Sequence, residues 1–282
     1  MIACLPLKWE RLKSTSCNQR GKSNTQVERT LIMLRDFSKE NFDIIILAGQ
    51  SNGDGYGYGD VAAPFEPNEK IWDLSGDFTI SITEERVYGN HIRGNLVNSF
   101  AVRYLETGCL YPGRKLLIVR AAVAGTGFTE PYKNWGLTDN LYLRMIDMTH
   151  TALGLNPSNE LVALLWHQGE AETTRSTYEK HKENLTTLIK SVRSEFDRDS
   201  LPFIAGDFCH PWSKDNEDIC KPIVSAIRDV CSDIDRAAFV ETDGLLANNT
   251  AIGDDDAQHF SRDALYKLGE RYFDAFDKLI RS

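Results

Sequence analysis

No run of about 18 consecutive apolar residues occurs in this chain, so no segment is long enough to cross a bilayer as a helix. The opening residues MIACLPLKWERLK hold a short apolar patch but no h-region of adequate length, and a cytoplasmic location is expected. Basic charge is scarce too. The net charge is -9, and without a clustered basic surface to neutralise phosphates, nucleic acid is excluded as the main partner. The six cysteines, Cys4, Cys17, Cys109, Cys209, Cys220 and Cys231, include no C-x-x-C pair, which removes the usual signs of a zinc knuckle or a redox site. Cys220 and Cys231 fall in one predicted helix, where their spacing separates them by roughly 16 Å, too far for a disulfide. They are expected to be buried thiols. There is also no internal repeat and no low-complexity linker.

What the chain does contain is a regular alternation. Its 282 residues suffice for a sizeable core. Residues 1–36 carry seven Lys and Arg against three Asp and Glu, leaving 25 against 38 for the rest. This stretch reads as a loosely docked arm without chemistry, with a short helix near Val27 to Leu34. From residue 37 to 282 a single domain is predicted. Apolar strands are read at 42–48, 115–122, 161–166, 203–206 and 238–241. Helices are read at 95–107 with Gly108 as C-cap, 138–153, 176–196 and 218–231, and from Ser261, a candidate N-cap, to the end. Residues 60–93 form an excursion with one hairpin-like piece at Phe78 to Ile82. Strands alternating with helices imply a doubly wound α/β fold with a five-stranded parallel sheet covered on both faces. The loops at Ser51, Gly125, Gln168 and Asp256 should then meet along the carboxyl rim.

The first strand, FDIIILA, ends in Gly49-Gln50-Ser51-Asn52-Gly53, a sharp turn that presents a serine hydroxyl with little bulk around it. A serine needs a base, and the base a partner that fixes its tautomer. Asp256-Ala257-Gln258-His259, just before the last helix, offers both. Donors for a developing oxyanion are also present after predicted strands: the Ser51 N–H, a Gly125 N–H and the Gln168 amide. Each feature alone has a plainer reading, as a helix cap, a tight turn or a solvated loop. Their joint occurrence in this order singles them out.

Gly49-Gln50-Ser51-Asn52, Gly125-Thr126, His167-Gln168-Gly169-Glu170 and Asp256-x-x-His259 together resemble the SGNH/GDSL hydrolase superfamily over residues 43–276. Within it, G-Q-S-N and H-Q-G-E look like the carbohydrate acetylesterase branch, which includes sialate O-acetylesterases and carbohydrate esterase family 6. The resemblance implies a flavodoxin-like three-layer α/β/α sandwich. It makes Ser51 the nucleophile and His259 the base, with an oxyanion hole of Ser51, Gly125 and Gln168. Asn52 and Glu170 are implied as supporting residues. No metal and no cofactor is implied, and the partner is a small-molecule or oligosaccharide O-acetyl ester. The second block departs from the family's G-G-T, reading Ala124-Gly125-Thr126, which leaves Gly125 and Gly127 both open for the oxyanion. Asp256 is expected as the principal acid, with Glu170 as the rival.

Other readings compete. An α/β-hydrolase elbow would need several strands before the serine, whereas only one precedes Ser51. Nucleotide binding by Gly53, Gly55, Gly57 and Gly59 fails the G-x-G-x-x-G spacing, and no G-K-[ST] follows. Metal binding by His167, Glu170, His259 and the aspartates rests on a weak ligand pattern. A short-chain esterase acting on other esters, and a catalytically degenerate carbohydrate-binding protein, stand as alternatives. Tyr56, Tyr58, Trp72, Trp135 and Trp212 read as packing residues, with Trp135 also the one candidate for stacking on a sugar ring.

Overall fold

The structure is a computed structural model that describes residues 36–282. The predicted arm, with its helix near Val27 to Leu34, lies outside the described residues apart from Asp36, as do Cys4 and Cys17. The first strand, β1 (Asn41–Gly49), leads into a single helical turn, α1 (Ser51–Asp54). The excursion holds four short strands: β2 (Ile71–Leu74), β3 (Ile80–Ile82), β4 (Arg86–Tyr88) and β5 (His91–Arg93). Then follow α2 (Leu96–Glu106), β6 (Arg114–Arg120), α3 (Asn140–Gly154), β7 (Glu160–His167) and α4 (Tyr178–Glu195). The last part contains β8 (Phe203–Gly206), α5 (His210–Asp215), α6 (Glu217–Asp233), β9 (Ala237–Val240), α7 (Asn248–Ile252) and α8 (Arg262–Arg281).

The strand order is β3-β2-β6-β1-β7-β8-β9. The five expected strands are all there and all parallel, in the flavodoxin order second, first, third, fourth, fifth. Two more lengthen the sheet: β2 runs parallel to β6, and β3 turns back antiparallel on β2. With four and three residues they are too short to show a period, so the sequence displayed only the return at Phe78 to Ile82. Elsewhere the predicted boundaries move by a few residues. Ala121 and Ala122 leave β6, yet both N–H groups still reach Leu47 O, at 2.9 and 3.0 Å.

β1 is apolar throughout because both of its faces are covered. Ile44, Ile46 and Ala48 join the core under α3, α4 and α6, while Ile45 and Leu47 join the core under α2 and α8. Each of the buried isoleucines, and Leu47, contributes about 1.5–3 kcal/mol. The chain leaves β1 toward β6 on one side and returns through β7 on the other. Such a reversal opens a crevice at the carboxyl end of β1, where ligands of open α/β sheets bind. Ser261 caps α8 as expected, its side chain accepting from the Ala264 N–H at 3.2 Å. Cys220 and Cys231 are free and buried, as expected; Cys209 is also free and buried, and Cys109 is free and half-buried.

Candidate active site

β1 stops at Gly49 because a side chain could not stand there. The residue has φ +126°, and a Cβ would lie 2.1 Å from the His167 carbonyl oxygen of β7. The neighbouring Gln50 N–H donates to that same oxygen at 2.9 Å, so the turn is pinned to β7. Ser51 follows, 6% exposed, at the carboxyl rim.

His259 stands 208 positions away in the chain, yet its Nε2 lies 2.8 Å from Ser51 Oγ. Its Nδ1 meets Asp256 at 2.8 Å (Oδ2) and 3.0 Å (Oδ1), and its backbone N–H donates to Asp256 Oδ1 at 3.1 Å. With the Nδ1 proton directed at the carboxylate, Nε2 is left to accept from the serine hydroxyl. Asn248 Nδ2 donates to Asp256 Oδ2 at 2.9 Å. Burial raises the Asp256 carboxyl pKa, but hydrogen bonds from the His259 and Asn248 side chains, the His259 charge and its N–H outweigh it and hold it at about 2. The carboxylate is therefore ionised at mildly acidic and neutral pH.

The loop that carries the histidine is gripped from beneath. Asn52 is fully buried; its Oδ1 accepts the Phe260 N–H at 3.1 Å and its Nδ2 donates to Gln258 O at 3.2 Å, one residue either side of His259. The same Nδ2 donates to Glu170 Oε1 at 2.7 Å. Glu170, 3% exposed, has no hydrogen bond to His259, and the imidazole near it is His167, at 3.8 Å. Of the two rival carboxylates, Asp256 is the one that touches His259.

The second and third sequence blocks adjoin this group. Gln168 is buried at 1% exposure, with Nε2 3.4 Å from Thr126 O. Gly125 has φ +69° and open space where a Cβ would stand. Gly127 differs: its N–H is taken by Tyr132 O at 2.6 Å. Trp135 takes the packing reading, and the sugar-platform alternative for it falls. It is 0% exposed, its Nε1 donates to Thr126 Oγ1 at 2.9 Å, and its ring packs edge-on against Trp166 at 5.2 Å. The indole shapes the second-block loop from inside.

Sequence reasoning missed several neighbours. Asn248 holds Asp256 and also bonds Tyr56 O and the Tyr58 N–H, each at 2.8 Å. Tyr56, read as packing, stacks on the His259 ring at 5.4 Å, and the Arg93 guanidinium lies 3.6 Å over the Tyr56 ring. Glu172, fully buried, accepts from residues 128 and 129. None of these carries a local signal, because each partner is distant in the chain. Among the described residues no group of three or more His, Cys, Asp or Glu side chains could hold a metal ion. A surface pocket of about 610 Å³, lined by Cys109 and Pro202 among others, lies at the amino rim of the sheet and has no part in this site.

A mostly parallel sheet between two helical layers, with Ser51, His259 and Asp256 hydrogen-bonded in series at its carboxyl rim, defines the class as an SGNH-type hydrolase fold. Residues 41–278 match the family described as carbohydrate esterase, sialic acid-specific acetylesterase, and the chain belongs to that family of carboxylic ester hydrolases. A probable carbohydrate esterase of Arabidopsis thaliana is 30% identical over 183 residues, 57% of this chain and 66% of that protein. A probable 9-O-acetyl-N-acetylneuraminic acid deacetylase of Escherichia coli (strain K12) is 25% identical over 88 residues, 28% of this chain and 27% of that protein. The matches thus span less than two thirds of either relative. The crystal structure of NanS superposes with a TM-score of 0.71 at 18% identity, covering 86% of this chain and 99% of that one. No helix among the described residues is long and apolar enough to cross a membrane.

Proposed function

We propose that this protein is a serine esterase that removes acetyl groups from O-acetylated carbohydrate through an acyl-serine intermediate. The observation that carries the reading is the relay itself: Ser51 Oγ 2.8 Å from His259 Nε2, with Nδ1 of the same ring 2.8 Å from the Asp256 carboxylate. Ser51 Oγ attacks the acetyl carbonyl carbon while its proton passes to His259 Nε2, and the Asp256 carboxylate stabilises the imidazolium. The carbonyl oxygen becomes an oxyanion that receives the Ser51 N–H, the Gly125 N–H and the Gln168 amide. Gly125 is preferred over Gly127 because the Gly127 N–H is already bound to Tyr132 O. Collapse breaks the C–O bond to the sugar, whose oxygen takes the proton from His259. Water then attacks the acyl-serine with His259 again as base, releasing acetate.

O-acetylated sialic acid is the first substrate class to test, since the family and the Escherichia coli relative are both named for it. Acetylated xylan and pectin fragments are the comparison set. Acetyl release should be far faster than octanoyl release from 4-nitrophenyl esters, and Ser51→Ala should abolish it. Undiminished turnover in Ser51→Ala would sink the acyl-serine route. A folded wild-type protein that hydrolyses none of these esters would mark a degenerate binding protein instead.

A further inference from the structure

Glu172 is a buried carboxylate to which the reaction above gives no task. It is 0% exposed, and no cation among the described residues pairs with it. Its charge is received instead by donors from one loop. Oε1 accepts the Phe128 N–H at 2.7 Å and the Thr129 N–H at 3.3 Å, and Oε2 accepts the Thr129 hydroxyl at 2.6 Å. Two successive backbone N–H groups on one anion form a small cradle. A buried carboxylate without a counter-cation is an expensive way to fill space, and an apolar side chain would pack there at lower cost. What the carboxylate does supply is a fixed backbone position.

The loop it fixes is the one that carries Gly125. A Cβ on Gly127 would lie 2.2 Å from Glu172 Oε1 and 3.2 Å from Gln168 Nε2, so carboxylate and amide both close on the loop at a residue with no side chain. Gln168 and Glu172 belong to the same turn after β7, and its third polar member, Glu170, holds Asn52 on the nucleophile side. The turn thus reaches in two directions with two buried carboxylates.

We infer that Glu172 is a positioning residue for the oxyanion hole: by clamping residues 128 and 129 it sets the distance between the Gly125 N–H and the Gln168 amide. This rests on the oxyanion roles proposed above. The test is steady-state hydrolysis of 4-nitrophenyl acetate by the full chain carrying Glu172→Ala, Glu172→Gln, Gln168→Ala and the Glu172→Ala/Gln168→Ala pair, with thermal unfolding of each. Glu172→Ala should lower kcat by about 10²-fold with KM within about threefold, because the lost alignment matters mainly in the transition state. Glu172→Gln keeps an oxygen for the two N–H groups and should recover most of the rate. The pair should lose about tenfold less than the product of the single losses, since both act on one oxyanion. If Glu172→Ala does not fold, Thr129→Val removes the Oε2 donor and should lower kcat several-fold at constant KM. A folded Glu172→Ala with wild-type kcat, a loss confined to KM, or losses that multiply in full would overturn the inference. An undiminished Gln168→Ala would instead fell the oxyanion reading beneath it.

Discussion

Replacing Asp256 by Asn should damage the proposed esterase activity far more than replacing Glu170 by Gln, although the two changes are chemically alike. The Asp256 carboxylate accepts the His259 Nδ1 and backbone N–H groups and the Asn248 amide. An asparagine there has one acceptor oxygen. Turned toward His259, it sets its own NH₂ against the NH₂ of Asn248. Turned the other way, it donates to Nδ1, which places the imidazole proton on Nε2 and leaves Ser51 Oγ without an acceptor. The expected loss in kcat is about 10⁴-fold, or roughly 5.5 kcal/mol of transition-state stabilisation. Glu170 is placed differently. Its Oε1 accepts from Asn52, which a glutamine oxygen can still do, and its Oε2 has no hydrogen-bond partner. Glu170→Gln should therefore cost no more than about tenfold, near 1.4 kcal/mol. Initial rates on 4-nitrophenyl acetate, compared between variants of matched melting temperature, decide the matter. A slower Glu170→Gln than Asp256→Asn would reverse the assignment of the acid.

Gln168→Ala should lower kcat by about 10²-fold with a smaller change in KM; an effect on KM alone would assign the amide to substrate binding. Tyr56→Ala should cost about tenfold in kcat, the worth of one aromatic stack on His259, while Tyr56→Phe keeps the ring and the rate. If KM moves instead, Tyr56 contacts substrate. His181 is fully buried, and burial lowers its pKa from 6.5 to about 4. The unfolded chain therefore binds the extra proton first, so the stability is complete above pH 6.5 and is lost as pH falls toward 4, by about 3 kcal/mol in all. Urea unfolding of wild type and His181→Leu across that range should show a shallower pH dependence in the variant, and equal slopes would refute the assignment.

Strands and helices were legible wherever the signal was local. The unbroken apolar run of β1 and its abrupt stop at Gly49-Gln50-Ser51 state both a buried strand and a turn that exposes a hydroxyl. Asp256-x-x-His259 spans a distance that one turn can close, so that pair could also be read from spacing. The limit of such reading is visible in a second pair with the same spacing, Asp207 and His210, whose side chains meet at 3.1 Å. Spacing cannot choose between the two pairs. The fold chooses, by bringing His259 rather than His210 to Ser51 across 208 positions.

Long-range packing settled the rest. Glu170 and Asn52 are 118 positions apart, and their contact places the Glu170 carboxylate on Asn52 and not on His259. Trp135 looked available to a sugar because nothing local marks an indole as interior; the walls that enclose it come from β7 and the second-block loop. β2 and β3 hold together only by pairing with β6 and with each other. The amino-acid sequence by itself therefore determined the five core strands and the helices between them, the sharp turn at Ser51 and the Asp256–His259 spacing, since each depends on residues within a few positions of one another. Which carboxylate faces which imidazole, which glycine N–H stays free and which aromatic ring is sealed inside depend on side chains that meet only when the sheet closes, and the tertiary structure alone decided them.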